Sequence, residues 1–356
     1  MKKLFKLLPA LLLIAGLTAC SDDDNNGSGS STENKGAYII NGGGHSAQNA
    51  SITKYNTSTD KTTEFYYELQ NGKPISGATQ MAYNYDGKVY LTGNNPDHLL
   101  VTDESFTVID TIAIDKPRYC IGDGDYLYVS SWSANPDWGE MADTYILKYN
   151  VKTGATDKIE LPGGPEGLAI AGGKLYAAFN YKKQIAAIDL STEAISYIDL
   201  PAVSSYLICD SQNNLYATLV NSYSNPSETV GLAYINTQNN TIVETYPTDI
   251  STSYAQLLAF SNNMETLYVC AASYNENWEM VGAVKKFNTS TKTFESDLAS
   301  NITGIQGVSV NPENDNVFIA VSNGVSDKGE VHIYENGTLK ATKTAGADPL
   351  MTLFIK

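Results

Sequence analysis

KLYAAFNY, at residues 174–181, decides the fold because close variants of this stretch recur along the chain. Each variant is a short apolar run with an aromatic side chain at its third position, followed by small or polar residues. The seven copies begin at Gly36, Lys88, Tyr126, Lys174, Asn214, Thr266 and Asn316. A spacing of about 40 to 50 residues between copies indicates one supersecondary unit that is repeated along the chain.

A second pattern follows each copy. An apolar stretch ends in Asn, Asp or Glu, and Ser, Thr, Gly or Asn residues come next. Asn and Asp favour the first position of tight turns because their side chains bond the backbone two residues on. The residues concerned are Asn56, Asp103, Asn150, Asp189, Asn236, Asn288 and Glu335. A further apolar segment, such as GLAIAG at residues 167–172, precedes the later copies, so each unit contains four short strands.

Four antiparallel strands repeated in this way predict an all-β fold, a seven-bladed β-propeller. The first unit starts directly at its second strand, whereas the C-terminal stretch ADPLMTLFIK supplies one strand with no unit after it. We therefore expect residues 347–356 to pair with residues 37–68 and close the ring, which leaves few exposed strand edges. The third-position aromatics, predicted to pack between neighbouring blades, are Tyr38, Tyr90, Tyr128, Tyr176, Tyr216, Tyr268 and Phe318.

The chain begins with two lysines and an apolar run from Leu7 to Leu17, a pattern typical of an export signal and too short for a membrane-spanning helix. LTAC, at residues 17–20, resembles the lipobox of bacterial lipoproteins. That resemblance implies a signal peptide over residues 1–19 and lipidation of Cys20, whose acyl chains would hold the protein on a membrane. A plain secretory signal with an incidental cysteine is the alternative.

Residues 20–35 are poor in apolar side chains and rich in Gly and Ser, which is typical of a flexible tether. The acidic head of this segment, SDDD at residues 21–24, resembles the surface-export signal of Bacteroidetes lipoproteins. It implies a lipid-anchored protein of the outer membrane that faces the cell exterior, whereas a solvated linker facing the periplasm is the alternative. Residues 36–356 then form the propeller.

The formal charge of -16 arises from only 17% charged residues. No basic stripe is present, so this composition excludes nucleic acid binding, which needs clustered Lys and Arg. Contact with a membrane is predicted through the lipid anchor alone. Cys120, Cys209 and Cys270 lie in apolar, strand-like contexts and are predicted to be buried small side chains, although an oxidising compartment would allow one disulfide pair.

All three tryptophans fall in or beside the loops between second and third strands, on one face of the predicted ring. Several tyrosines accompany them, interleaved with Asn, Ser and Glu. Large, rigid amphipathic side chains grouped on exposed loops are typical of a ligand or partner surface. The alternative is that these aromatics pack on one another. The candidate binding residues are Trp132, Trp138, Tyr181, Tyr223, Tyr274 and Trp278.

A second group of candidates lies near the starts of the innermost strands and is predicted to ring the mouth of the central channel. Its amides and phenols carry little charge and suit a neutral polar ligand. The alternative is a channel that is plugged by polar groups and ordered water. The residues are Gln80, Arg118, Tyr119, Glu166, Tyr206, Tyr254, Gln256 and Gln306.

Histidines and carboxylates are too scattered to predict catalysis. His45 falls in a loop of the first unit, His98 and His332 fall on third strands, and the channel mouth offers only Glu166 and Asp348. Propeller lactonases and quinoproteins need metal-binding acids or histidines at the centre. We therefore expect a binding protein rather than an enzyme, with no catalytic residue, no cofactor and no metal.

The repeat resembles the YVTN and YncE-like seven-bladed propellers, most closely at Tyr128-Val129 and Tyr268-Val269. With the lipobox, the tether and the aromatic loops, the chain is similar to the BtuG family of surface lipoproteins. This resemblance implies capture of a corrinoid (vitamin B12) and its transfer to a TonB-dependent outer-membrane transporter. It is architectural and transfers no individual binding residue. A surface binder of a glycan or another nutrient is the main alternative, and a protein-interaction scaffold is the third.

Overall fold

The computed structural model describes residues 36–221, 227, 229–250 and 255–355. Its strands are, in chain order, β1 (Gly36–Asn41), β2 (Ser51–Asn56), β3 (Lys61–Thr63), β4 (Ala78–Tyr85), β5 (Lys88–Asn94), β6 (His98–Asp103), β7 (Val108–Ile112), β8 (Pro117–Asp123), β9 (Tyr126–Ser131), β10 (Tyr145–Asn150), β11 (Thr156–Glu160), β12 (Pro165–Ala171), β13 (Lys174–Phe179), β14 (Gln184–Asp189), β15 (Ile195–Asp199), β16 (Leu207–Cys209), β17 (Leu215–Leu219), β18 (Gly231–Asn236), β19 (Thr241–Pro247), β20 (Leu258–Phe260), β21 (Thr266–Tyr274), β22 (Met280–Asn288), β23 (Thr293–Phe294), β24 (Ala299–Thr303), β25 (Ile305–Val310), β26 (Val317–Val321), β27 (Lys328–Glu335), β28 (Thr338–Ala347) and β29 (Pro349–Ile355). A short helix, α1 (Tyr66–Asn71), follows β3. Within these residues, no helix is long and apolar enough to cross a membrane.

The strands form seven antiparallel sheets, one for each copy of the repeat. The predicted all-β class and the seven-bladed propeller are therefore confirmed. From the innermost strand outward, the blades are β29-β1-β2-β3, β4-β5-β6-β7, β8-β9-β10-β11, β12-β13-β14-β15, β16-β17-β18-β19, β20-β21-β22-β23 and β25-β26-β27-β28, and we number them one to seven in this order. In blade six, β24 adds to β22 as an extra strand.

The ring closes between the two ends of the propeller, as predicted. Strand β29 becomes the innermost strand of blade one by pairing antiparallel with β1, with Leu353 opposite Tyr38 and Thr352 opposite Ile39. The backbone N–H of Thr352 also donates to Oγ of Ser309 in blade seven, at 3.0 Å. Blade one is thus built from both ends of the propeller, and the neighbouring blade holds its inner strand.

The repeated aromatics pack between blades, which confirms the role predicted for them. Six of the seven are buried, and Tyr268 is half-buried. Tyr38 of blade one lies 4.8 Å from Phe106 of blade two, measured between ring centroids. The hydroxyl of Tyr176 in blade four donates to the carbonyl of Thr237 in blade five, at 3.3 Å. The repeated rings therefore contribute packing contacts between neighbouring blades.

Six of the predicted turns between third and fourth strands form as expected. In each, the side-chain oxygen of the first residue accepts hydrogen bonds from two backbone N–H groups within the turn; these residues are Asn56, Asp103, Asn150, Asp189, Asn236 and Asn288. The turn after Glu335 differs. It is a tight hairpin through Asn336 and Gly337, which both have positive φ.

Cys120, Cys209 and Cys270 are free in the structure. Cys120 and Cys270 are buried, as predicted, and burial raises the pKa of Cys270 to about 12. Cys209 is only half-buried because it lines the central channel. Burial raises the pKa of its thiol to about 11, so it remains protonated at neutral pH.

Candidate functional site

The face of the ring that carries the loops between second and third strands is called the loop face here, and the innermost strands also begin there. At these starts the pairing between first and second strands is irregular in blades two, three, four and seven. Each irregularity is a β-bulge, in which residues of the innermost strand have no direct partner on the second strand, and the bulge changes the direction in which these residues point. Five of the predicted channel-mouth residues lie in these bulges: Gln80, Arg118, Tyr119, Glu166 and Gln306.

Arg118 and Glu166 form a buried ion pair between blades three and four. Nε of Arg118 donates to both carboxylate oxygens of Glu166, at 3.2 and 3.1 Å, and the two side chains are 5% and 7% exposed. Nδ2 of Asn180 donates to Oε2 of Glu166 at 3.2 Å. Burial raises the pKa of the Glu166 carboxyl, while the charge of Arg118 acts in the opposite direction. The pair therefore lies below the surface of the mouth and joins two blades.

Trp132 is buried against this ion pair. Its ring centroid lies 4.2 Å from Cζ of Arg118, in a cation–π contact, and its Nε1 donates to the carbonyl of Pro165 at 3.1 Å. Trp138 and Tyr181 pack edge-on against Trp132, with centroid distances of 6.1 and 5.6 Å. Trp132 is thus a packing residue that fixes the position of two more accessible aromatics.

Three of the candidate aromatics are largely exposed on the loop face. The exposed fraction is 59% for Trp138, 57% for Tyr274 and 82% for Trp278. Tyr181 is half-buried. The structure therefore divides the predicted aromatic rim into one group on blades three and four and a second group, Tyr274 and Trp278, on blade six. Exposed aromatic surface of this kind favours binding.

The turn between β21 and β22 holds Trp278 in place. Oδ1 of Asn275 accepts hydrogen bonds from the backbone N–H groups of Asn277 and Glu279, both at 2.9 Å. Trp278 itself has a φ of 62°, in the left-handed region that large side chains rarely occupy. Tyr274 lies beside it, with ring centroids 6.3 Å apart. The turn is a short, hydrogen-bonded loop that presents an aromatic side chain to solvent.

Tyr119 and Tyr206 reach toward each other from blades three and five. The Tyr119 hydroxyl donates to the Tyr206 hydroxyl at 3.1 Å, and the rings meet edge to face at 5.5 Å. Both residues, together with Gln256, line a cavity of about 390 Å³ in the central channel. The other lining residues are mainly apolar, so the channel is less polar than its predicted mouth.

The other described mouth residues, Gln80, Arg118, Glu166 and Gln306, do not line this cavity. Nε2 of Gln306 donates to Oδ1 of Asp348 at 3.4 Å, and burial raises the pKa of the Asp348 carboxyl. Gln80 is half-buried at the bulge of blade two. Tyr223 and Tyr254, like the predicted lipidation site Cys20, lie outside the described residues.

The described carboxylates and histidines are dispersed over the propeller. Within residues 36–221, 227, 229–250 and 255–355, no group of three or more His, Cys, Asp or Glu side chains is placed to hold a metal ion. His98 is tied to its own loop, since its Nδ1 lies 2.7 Å from the carbonyl oxygen of Pro96. His332 pairs with Glu330 at 3.1 Å on β27. The loop face therefore offers aromatic and amide groups for binding.

The sequence matches the model of a family described as Domain of unknown function (DUF5074) over residues 35–348. The chain belongs to this family. No curated protein matches the sequence significantly. The DUF5074 match and the seven sheets together establish a propeller family without assigning it an activity.

Solved structures with the same fold are diverse. A quinoprotein alcohol dehydrogenase-like protein from Bacteroides thetaiotaomicron has a TM-score of 0.67 at 15% identity, over 90% of this chain and 78% of its own. A proposed 6-phosphogluconolactonase from Bacteroides fragilis has a TM-score of 0.65 at 13% identity, over 92% and 99%. The WD40 domain of Pan2 from Neurospora crassa has a TM-score of 0.54 at 9% identity, over 78% and 81%. At such identities the likeness concerns the fold alone.

The DUF5074 propeller contains one structural feature that the sequence analysis missed. The fifth residue of several repeats donates a hydrogen bond to the bulge of the next blade. Oγ1 of Thr92 donates to the carbonyl of Arg118 at 3.0 Å, and Oγ of Ser130 to that of Glu166 at 2.7 Å. Cys270 makes the equivalent contact through Sγ, at 3.4 Å. Small polar side chains recurring at this position were the available signal.

Proposed function

We propose that this protein is a lipid-anchored binding protein of the outer cell surface that captures a large polar ligand on its loop face without transforming it. The observation that carries the proposal is the exposure of Trp138, Tyr274 and Trp278 on one face of a rigid ring. The edge-on contact with Trp132 limits the movement of Trp138, and the turn at Asn275 holds the backbone at Trp278, before any ligand arrives. Such preorganisation lowers the entropic cost of binding.

The ligand we propose is a corrinoid. A corrinoid has a broad ring and a fringe of amide groups, so it would need aromatic contacts together with hydrogen-bonding partners. Asn277 and Glu279 lie within the turn that presents Trp278 and would supply such partners. The similarity to the BtuG lipoproteins supports this choice and extends it to delivery: the captured corrinoid would pass to a TonB-dependent outer-membrane transporter.

The experiment is co-migration of cyanocobalamin with residues 36–356 in size-exclusion chromatography, followed through the visible absorbance of the vitamin. We expect the colour to elute with the protein. The double variant Trp138→Ala/Trp278→Ala should bind at least about tenfold more weakly, because aromatic side chains in contact with a ligand carry much of the affinity. Trp132 is left intact since its removal would disturb the core.

Tyr197→Ala provides the matched control for this experiment. Tyr197 is 49% exposed, on β15 rather than on the loop face, and its removal should leave binding unchanged. Absence of colour in the wild-type peak would remove the corrinoid from consideration. Equal affinity in the double variant and the wild type would move the site away from these two tryptophans.

A glycan is the second candidate ligand. Exposed aromatic side chains beside carboxylate and amide groups, as in the segment from Tyr274 to Glu279, also suit the apolar faces and hydroxyls of sugars. A glycan array with the same wild-type and variant proteins distinguishes the two. Binding of a sugar that depends on Trp278, without binding of cyanocobalamin, would favour a glycan-binding protein.

A further inference from the structure

The cavity of about 390 Å³ in the central channel is aligned with the sequence repeat. In each blade, one residue of the innermost strand lies directly opposite the repeated aromatic. Six of these seven partners line the cavity: Tyr83, Ile121, Ala169, Ile208, Ser309 and Leu353. The cavity wall at this level is therefore formed by mainly apolar side chains, one from each of six blades.

Several side chains of this wall are incompletely covered by protein. Tyr83, Ile121, Ile208 and Leu353 are half-buried, and all four line the cavity. In a channel filled only with water, their uncovered apolar surface would remain hydrated, which is unfavourable in proportion to its area. A molecule that replaces this water with apolar contacts would be stabilised.

The hydroxyl of Tyr206 is a polar group at the loop-face end of the cavity. Because the hydroxyl oxygen of Tyr206 accepts the hydrogen bond from Tyr119, the hydrogen of Tyr206 remains to donate to an acceptor in the cavity. Burial raises the pKa of Tyr206 to about 12, so this hydroxyl is a neutral donor at physiological pH. None of the described lining residues is charged.

We propose that the central cavity is a second binding site, separate from the loop face, that takes one small uncharged aromatic molecule carrying a hydroxyl or carbonyl acceptor. Its volume lies near the lower end of the roughly 300 to 1,000 Å³ typical of small-molecule sites, which suits one or two fused rings. An anion is disfavoured because no charged residue of the lining would compensate it. The proposal does not depend on the ligand of the loop face.

Equilibrium dialysis of the purified protein against 2-naphthol at pH 7 tests this site, with 2-naphthoate as the charged comparator. We expect saturable binding of one 2-naphthol per chain and at least about tenfold weaker binding of 2-naphthoate. Failure of 2-naphthol to saturate up to its solubility, or equal binding of the anion, would overturn the proposal.

A cavity-filling variant assigns the binding to the channel. Ile208→Trp should abolish 2-naphthol binding, and the substitution is tolerable because Tyr83 already places an aromatic ring at the same level. Ile109→Trp, at a 54% exposed position of β7, is the matched control and should bind like the wild type. Ile121→Tyr replaces Ile208→Trp if the latter does not fold. A folded filling variant with wild-type affinity would overturn the proposal.

A separate variant tests the proposed hydrogen bond from Tyr206 to the ligand. Tyr206→Phe keeps the ring and removes the donor, so 2-naphthol should bind about fivefold more weakly, as expected for one neutral hydrogen bond. Unchanged affinity would contradict the role assigned to this hydroxyl. Cyanocobalamin binding, measured in parallel, should be the same in Ile208→Trp and Ile109→Trp as in the wild type.

Discussion

At the scale of single residues, the contact with the greatest consequence is the buried pair of Arg118 and Glu166. The substitution Glu166→Gln keeps the shape of the side chain but removes the carboxylate charge that faces the Arg118 guanidinium between blades three and four. We expect it to lower the free energy of unfolding by about 3 kcal/mol, the effect typical of breaking a buried ion pair. Urea unfolding, followed through tryptophan fluorescence, measures this free energy because Trp132 packs on Arg118.

An exposed ion pair provides the matched control for Glu166. Glu193 pairs with Lys148 at 2.6 Å, and its side chain is 43% exposed. Glu193→Gln should therefore change the free energy of unfolding by less than about 1 kcal/mol. Similar losses in the two variants would mean that burial of Glu166 does not govern its contribution.

At the scale of elements, the turns between third and fourth strands carry a pH-dependent contribution at Asp189. Hydrogen bonds from the hydroxyl of Ser191 and the backbone N–H groups of Ser191 and Thr192 lower the pKa of Asp189 to about 2, from 3.8. Because the folded pKa is depressed, this contribution is present above pH 3.8 and is lost as the pH falls toward 2. Carboxyl NMR titration should find the depressed pKa.

The repeat itself suggests the control for this turn. Asn occupies the equivalent position in four other blades and accepts the same backbone hydrogen bonds. Asp189→Asn keeps these bonds but lacks the charge, so it should be less stable than the wild type at pH 7 and lose less stability between pH 4 and pH 2. A titration near pH 4 for Asp189 would contradict the hydrogen bonding at this turn.

At the scale of the whole molecule, the ring depends on its last strand. A chain of residues 36–346 lacks β29, which pairs with β1 and buries Leu350, Met351 and Ile355. Its removal exposes the edge of blade one and these apolar side chains, so we expect no cooperative unfolding transition and aggregation in size-exclusion chromatography. The chain of residues 36–356 is the reference for both measurements.

A permuted chain separates loss of the strand from loss of chain length. In the other blades the innermost strand directly precedes the second strand, and Ile355 lies opposite Gly36. Residues 347–356 placed before Gly36 through a two-residue turn should therefore restore the cooperative transition. A cooperative transition in the truncated chain itself would show that ring closure is dispensable.

The number of blades, their strand order and the closure of the ring were all predictable from the sequence. These features depend on local chemistry that recurs: an aromatic at the third position of one strand, and Asn or Asp at the end of the next. Two of the exposed aromatics, Trp138 and Trp278, were predictable for the same reason, because loop length and content are visible along the chain. Apolar strands alternating with turn residues leave few other architectures.

The sequence by itself thus determined the propeller and the face that bears the aromatic loops, whereas the tertiary structure alone decided what those residues do. Trp132 and Trp138 are both tryptophans of one loop, yet only Trp132 is buried, because Arg118 lies against it. Arg118 in turn is paired because Glu166, 48 residues later, enters from the next blade. Burial, charge pairing and the apolar channel arise from contacts between blades, and no local pattern encodes which side chains will meet there.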